Sequence, residues 1–97
     1  MTKPKSKRPF VVIRTYSAGV HCGYLVSRKG KEVKLADARR IWRWYGANTL
    51  NQLATDGCAD NSNISVPVAE IELTEAIEVI STTKTAEGNL KRSRWTK

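Results

Sequence analysis

Residues 21–35 read HCGYLVSRKGKEVKL, and this stretch decides the fold. Its first part, residues 21–28, is rich in the residue types that strands favour. Its last part, residues 32–35, alternates charged and apolar side chains, which is typical of a strand with one buried face. The Lys29-Gly30 pair between the two parts is a turn signal. The stretch therefore predicts a β-hairpin.

The segments on either side of this hairpin extend the β pattern. Residues 10–16, FVVIRTY, are β-branched and aromatic and predict another strand. After a break or bend at residues 36–38, residues 39–45 continue as a strand, while a helix over residues 36–45 is the competing interpretation. Residues 46–48, GAN, end either element.

The second half of the chain predicts one short helix and further strands. Residues 49–56 begin with a capping-box pattern, Thr49 followed by Gln52, and Gly57 stops the helix. Residues 64–68 are extended around a proline, as at a sheet edge. Residues 69–82 fit either two strands separated by a kink or a single helix, and their β-branched content favours the two strands. We expect a mostly β (α+β) fold, a small antiparallel barrel-like sheet with one short helix.

The chain has 97 residues, enough for one domain with a small core. We assign residues 1–9 to a flexible basic arm, residues 10–83 to a single globular domain, and residues 84–97 to a flexible basic tail. Oligomerisation would be a natural way for so small a domain to bury more surface. The apolar stretch behind the basic start is too short for a signal peptide, and no stretch is long enough to cross a membrane, so we expect a cytoplasmic protein.

Charge is segregated along the chain as well as positive overall, at +8. Residues 1–43 carry twelve basic and two acidic side chains, residues 44–83 carry six acids and no Lys or Arg, and residues 84–97 are basic again. Clustered charge produces a field that attracts anionic partners. The alternative is that the basic and acidic blocks pair with each other, within the fold or across an oligomer interface.

The sequence offers no catalytic or metal-binding pattern. The single histidine, His21, has no partner motif, and its neighbour Cys22 points to the opposite face of a strand, which disfavours a thiol–imidazole pair. The two cysteines, Cys22 and Cys58, do not have the spacing of zinc ligands. We therefore expect no enzyme, no metal and no cofactor.

Residues 39–49, RRIWRWYGANT, concentrate the groups that bind phosphate and bases. Arginine forks match phosphate oxygens, aromatic faces stack on bases, and a helix start favours an anion. The predicted phosphate contacts are Arg39, Arg40, Arg43, Asn48 and Thr49. The predicted stacking residues are Trp42, Trp44 and Tyr45, with electrostatic support from Lys29, Lys31 and Lys34. Alternatively, the tryptophans are core or interface residues flanked by arginines.

Four stretches resemble a family of short uncharacterised proteins of tailed phages and prophages. They are RTYSAGVH at residues 14–21, RRIWRW at residues 39–44, GANTL at residues 46–50 and LTEAIE at residues 73–78. The resemblance covers about residues 10–82. It implies a phage origin and an accessory role, and it carries over no functional residues.

Three functions remain open. The favoured one is binding of nucleic acid, because both ends of the chain are basic and a polyanion can engage them. The second is sequestration of a nucleotide signal, as phage counter-defence, in an aromatic–arginine pocket of an oligomer. The third is a protein–protein module that inhibits an acidic host protein or serves in the virion.

Overall fold

The computed structural model describes residues 8–92; residues 1–7 and 93–97, which include most of the predicted arm and the end of the predicted tail, lie outside this range. The described part is an antiparallel sheet with two short helices. Its elements in chain order are β1 (Phe10–Thr15), β2 (Val20–Lys29), β3 (Glu32–Arg43), α1 (Leu50–Asp56), β4 (Asn63–Ile64), β5 (Val68–Leu73), β6 (Ala76–Ser81) and α2 (Lys84–Lys91).

Strands β1, β2 and β3 form a continuous antiparallel meander. β2 and β3 pair from Val20↔Ile41 to Lys29↔Glu32, and Gly30 takes the positive φ of 60° that the tight turn requires. The hairpin predicted from residues 21–35 is therefore confirmed. β3 remains a strand as far as Arg43, which decides between the two interpretations of residues 36–45.

The last two strands lie on opposite edges of this meander. β5 pairs with β3, with Leu73 opposite Val33, whereas β6 pairs with β1, with Ser81 opposite Val11. Only two residues connect the end of β5 to the start of β6. The sheet must therefore curl, so that its two edges approach each other where β5 ends and β6 begins. Within residues 8–92 the two strands share no ladder, and the curled sheet is not closed into a barrel. The predicted mostly β antiparallel fold and the two kinked strands of residues 69–82 are confirmed.

Both faces of β1 are buried, which explains its unbroken apolar sequence. Phe10 and Val12 belong to a core cluster that contains residues of both helices. Val11 and Ile13 belong to a second cluster, with Val33 from the far half of the β2–β3 hairpin, the half that contains the turn at Gly30. β1 is thus the central strand of a two-sided core.

A bend in the hairpin brings its far half onto β1. At the bend the register shifts, and Asp37 has a φ of 50°, a left-handed conformation that is uncommon outside glycine. Opposite it, Gly23 lies so close to β3 that a Cβ atom would be 3.0 Å from the Ala36 oxygen. Beyond the bend, the turn residue Lys31 accepts a 3.0 Å hydrogen bond from the backbone of Ala76.

Helix α1 confirms the predicted helix over residues 49–56. Thr49 Oγ1 accepts from the Gln52 backbone N–H at 3.1 Å, and the Gln52 side chain accepts from the Asn48 N–H at 3.0 Å. In the usual capping box the Gln side chain would accept from the N–H of the N-cap residue Thr49. Here it accepts from the N–H of the preceding residue, Asn48. Gly57 ends the helix with a φ of 81°.

Helix α2 occupies the start of the stretch assigned to a flexible tail. Thr83 caps it by accepting from the Ala86 N–H at 3.0 Å, and both Ala86 and Leu90 are fully buried. Asn89 makes two hydrogen bonds to the backbone of Cys58, at 2.9 and 3.0 Å, which tie α2 to the end of α1. Lys84–Lys91 is therefore part of the folded domain, and within residues 8–92 the sheet carries two helices rather than one. The four-residue spacing of Ala86 and Leu90 is the sequence signal for this buried face.

Candidate functional site

The end of β3 places two consecutive arginines in opposite environments. Arg39 is only 3% exposed. Its Nε donates to the Ser65 carbonyl at 2.6 Å, and its Nη1 donates to the Leu90, Lys91 and Arg92 carbonyls at 3.2, 2.8 and 2.8 Å. These last three oxygens are at the C-terminal end of α2, where a cation is favourable. Arg39 therefore holds α2 on the sheet and does not reach the surface predicted to bind phosphate.

Arg40 projects from the opposite face and is exposed. Its Nε donates to His21 Nε2 at 3.2 Å. His21 is fully buried, and its burial, followed by the nearby Arg40 charge, lowers its pKa from 6.5 to about 4. The imidazole is consequently neutral at pH 7 and acts as an acceptor that orients the guanidinium.

Next to Arg40, the strand end forms an exposed group of aromatic and cationic side chains. Trp42 is 59% exposed, and the Arg43 guanidinium carbon is 5.2 Å from the centroid of its ring. Arg43 Nη1 also donates to the Tyr45 hydroxyl at 3.4 Å, and Tyr45 is 42% exposed. We call Arg40, Trp42, Arg43 and Tyr45 the aromatic–arginine surface. It brings together four of the residues predicted as ligand contacts.

The remaining residues predicted in this segment support local structure. Trp44 is half-buried against the core, and its Nε1 donates to the Ala47 carbonyl at 3.2 Å. Thr49 caps α1 through its hydroxyl, and the Asn48 backbone takes part in the same capping arrangement. The core interpretation therefore describes Trp44, while Trp42 has the exposed ring that stacking requires.

The three predicted lysines lie at the other end of the β2–β3 ladder. Lys29 and Lys31 are exposed at the hairpin turn, and Lys34 is 3.4 Å from a Glu70 carboxylate oxygen. The fold does not place these lysines beside the aromatic–arginine surface. Any ligand that contacts both groups has to extend along the sheet.

Some of the segregated charge is paired inside the fold. Arg14 contacts Glu78 at 3.0 Å, Lys34 contacts Glu70, and Lys91 lies 3.8 Å from Glu87. Within the described residues, neither Arg40 nor Arg43 has a carboxylate within ion-pair distance. The positive charge of the aromatic–arginine surface is therefore not neutralised by residues 8–92.

A second concave feature was not predicted from the sequence. The start of β1, the middle of β2 and of β3, the end of β6, Pro67 before β5 and one side of α2 surround a cleft of about 800 Å³. We call it the mouth cleft. Its lining residues are Arg8, Pro9, Phe10, Tyr24, Asp37, Arg39, Pro67, Ser81, Thr82, Lys84, Glu87 and Lys91.

A hydrogen-bonded trio stands at the side of this cleft. The Tyr24 hydroxyl donates to Glu87 Oε2 at 3.0 Å and accepts from Lys91 Nζ at 2.6 Å. The hydrogen bond with Tyr24 raises the pKa of Lys91. The Tyr24 ring packs edge-on against Phe10, with ring centroids 5.1 Å apart. The cleft therefore has a fixed aromatic wall and a protonated ammonium group.

The part of the chain that the structure describes lacks two features, a metal-binding cluster and a membrane-spanning helix. Among residues 8–92, no three His, Cys, Asp or Glu side chains come together in a group that could hold a metal ion. No helix there combines the length and the apolar character that crossing a membrane demands.

The fold and the two surface features define a small curled-sheet domain with an exposed aromatic–arginine surface and a separate cleft. Residues 8–90 match the model of a family described as a domain of unknown function (DUF6948), and the chain belongs to that family. The match includes most of α2, in agreement with its place in the folded domain. Comparisons with curated proteins and with solved structures found no match.

Proposed function

We propose that this domain binds nucleic acid without catalysing a reaction, and that the aromatic–arginine surface makes the contact. The observation that carries the proposal is the exposed Trp42 ring with the Arg43 guanidinium packed against it, on a surface whose arginines lack ion-pair partners within residues 8–92. Such a surface supplies the two interactions that single-stranded nucleic acid requires, phosphate attraction and a flat face for a base.

The arrangement of Arg40 supports the same function. Its guanidinium is oriented by the neutral His21 and keeps its other N–H donors, since an arginine has five. A fixed fork loses less side-chain entropy when it binds a phosphate than a mobile one. The unpaired bases of a single strand can reach Trp42 and Tyr45, whereas bases in a duplex are stacked on one another, so we expect single strands to bind more tightly.

The test is a fluorescence-anisotropy titration of labelled single-stranded RNA, single-stranded DNA and duplex DNA at several salt concentrations. We expect Trp42→Ala to weaken single-strand binding by about tenfold, because stacking on one base contributes about 1–3 kcal/mol. Arg43→Ala should also lower the slope of log affinity against log salt by about 0.7.

Two matched controls isolate the site. Tyr16→Ala removes an aromatic side chain that is 80% exposed elsewhere, and Arg14→Ala removes an arginine already paired with Glu78. Both should change the affinity less than twofold. If Tyr16→Ala and Trp42→Ala weaken binding equally, or if no polynucleotide binds at low salt, the proposal fails.

We further propose that the protein acts as a phage accessory protein in the bacterial cytoplasm, on the basis of the resemblance of its four sequence stretches to phage and prophage proteins. The exposed Trp42 equally suits a protein interface, because aromatic side chains are enriched there. That alternative would be supported if no polynucleotide binds and if Trp42→Ala abolishes either self-association of the protein or its capture of an acidic partner protein.

A further inference from the structure

The mouth cleft has the shape of a ligand site. Its volume of about 800 Å³ lies within the range of small-molecule pockets. Phe10, Pro9 and Pro67 give it apolar walls. Phe10 is held by its contact with the Tyr24 ring and by the Thr82 hydroxyl, which donates to its carbonyl at 2.6 Å. The Phe10 wall is therefore held in place by contacts within the protein.

The charged side chains of the cleft favour an anion. Lys84 and Arg8 line it, and within residues 8–92 neither forms an ion pair. Lys91 Nζ has three protons, and the described contacts are with the Tyr24 hydroxyl and the Glu87 carboxylate. Lys84 and Lys91 belong to α2 and Arg8 precedes β1, and all three line the same cleft.

The carboxylates restrict which anion fits. Glu87 accepts a hydrogen bond from Tyr24, and a carboxylate has further acceptor positions for ligand hydroxyl or amine groups. Asp37 adds a second negative charge to the lining. The two carboxylates would repel a long phosphate backbone. A compact ligand can instead place one phosphate at the lysines and hydrogen-bond donors at Glu87, so that the basic and the acidic side chains both have partners.

We propose that the mouth cleft binds a nucleoside monophosphate, with the phosphate at Lys84, Lys91 and Arg8 and the base against the apolar walls. The ribose hydroxyls donate to Glu87. This site shares no residue with the aromatic–arginine surface, and it does not depend on the nucleic-acid proposal.

The test is an NMR titration of the full ¹⁵N-labelled chain with AMP, and with adenosine as the phosphate-free analogue. AMP should cause saturable shifts at Phe10, Tyr24 and Lys91, with the Trp42 indole unchanged. Adenosine should bind at least about tenfold more weakly, because it lacks the charge-assisted contacts.

Three variants locate the site. Lys84→Ala, at the exposed start of α2, should raise the Kd for AMP by about tenfold. Ser81→Trp should fill the cleft without a change of charge and abolish AMP binding. Lys29→Ala, at the distant hairpin turn, is the matched charge control and should leave the Kd within twofold of the wild-type value. Circular dichroism should show that each variant is folded.

Clear outcomes overturn the proposal. They are the absence of saturable shifts at Tyr24 with AMP, equal affinity for adenosine and AMP, or an equal loss of affinity for Lys29→Ala and Lys84→Ala. Shifts confined to Trp42 would assign AMP to the other surface and would likewise reject the cleft as the site. Trp42→Ala separates the two proposals, because it should weaken RNA binding by about tenfold and leave AMP binding unchanged.

Discussion

Replacement of Arg39 by methionine should release α2 from the sheet. Methionine keeps much of the length and the apolar stem of the side chain but removes every donor. Four carbonyl oxygens, of Ser65 and of Leu90, Lys91 and Arg92, then lose their guanidinium partner. These carbonyls lie between the end of α2 and the sheet, where the helix must move before water can replace the arginine.

The contacts give the size of the effect. Hydrogen bonds to a charged group contribute about 1.5–3 kcal/mol each, and at the lower value the four contacts sum to about 6 kcal/mol. The end of a helix can loosen and recover water at its carbonyls, which returns about half of that loss. We therefore expect Arg39→Met to lower the free energy of unfolding by about 3 kcal/mol, a large share of the roughly 5–10 kcal/mol available to a domain of this size.

Urea denaturation followed by tryptophan fluorescence measures this change, and hydrogen exchange shows where it acts. The amide protons of α2 should lose protection in Arg39→Met before those of β1 and β2. Arg28→Met is the matched control, since Arg28 is an exposed arginine on β2, and its loss should cost less than about 1 kcal/mol. Equal losses for the two variants, or a loss below about 1 kcal/mol for Arg39→Met, would refute the anchoring role.

Two further predictions concern the buried faces of the sheet. Because the pKa of His21 falls from 6.5 in an unfolded chain to about 4 in the fold, its contribution to stability is complete above pH 6.5 and is lost as the pH falls toward 4. The free energy of unfolding, measured by urea denaturation across this pH range, should fall by up to about 3 kcal/mol in wild type and by clearly less in His21→Gln; parallel pH profiles would reject the assignment. Gly23→Ala should destabilise the fold by about 2 kcal/mol, because its Cβ meets β3 backbone atoms at 3.0 and 3.1 Å, as thermal denaturation would show. Gly88→Ala, where an added Cβ meets nothing within 4 Å, should instead be neutral or stabilising.

Local patterns in the sequence were sufficient for most of the fold. The alternation at residues 32–35 and the Lys29-Gly30 turn predicted the hairpin, and Thr49 with Gln52 predicted α1, because each signal involves neighbours in the chain. The same patterns could not show that β5 and β6 lie on opposite edges of the sheet. That arrangement depends on pairing with β3 and β1, which are far away in sequence.

The candidate site was predicted only in part for the same reason. Strand alternation correctly places Arg39 and Arg40 on opposite faces of β3. The burial of Arg39, however, depends on α2, which lies about fifty residues later in the chain. The weakly apolar sequence of α2, with Ala86 and Leu90 as its buried residues, resembled a basic tail. The mouth cleft combines residues from six segments, so no single stretch of sequence carries its pattern.

The pairing of β1 with β6 has a consequence for how the chain is made. Val11 lies opposite Ser81, so the first strand to leave the ribosome needs a partner that is synthesised seventy residues later. Until then Val11, Val12 and Ile13 have neither a complete core nor both neighbouring strands. We expect the nascent chain to remain unfolded, and open to chaperones and proteases, until nearly all of it has emerged. A chain that stops before β6 would leave β1 as an exposed apolar edge, so incomplete copies should aggregate or be degraded rather than persist as stable fragments.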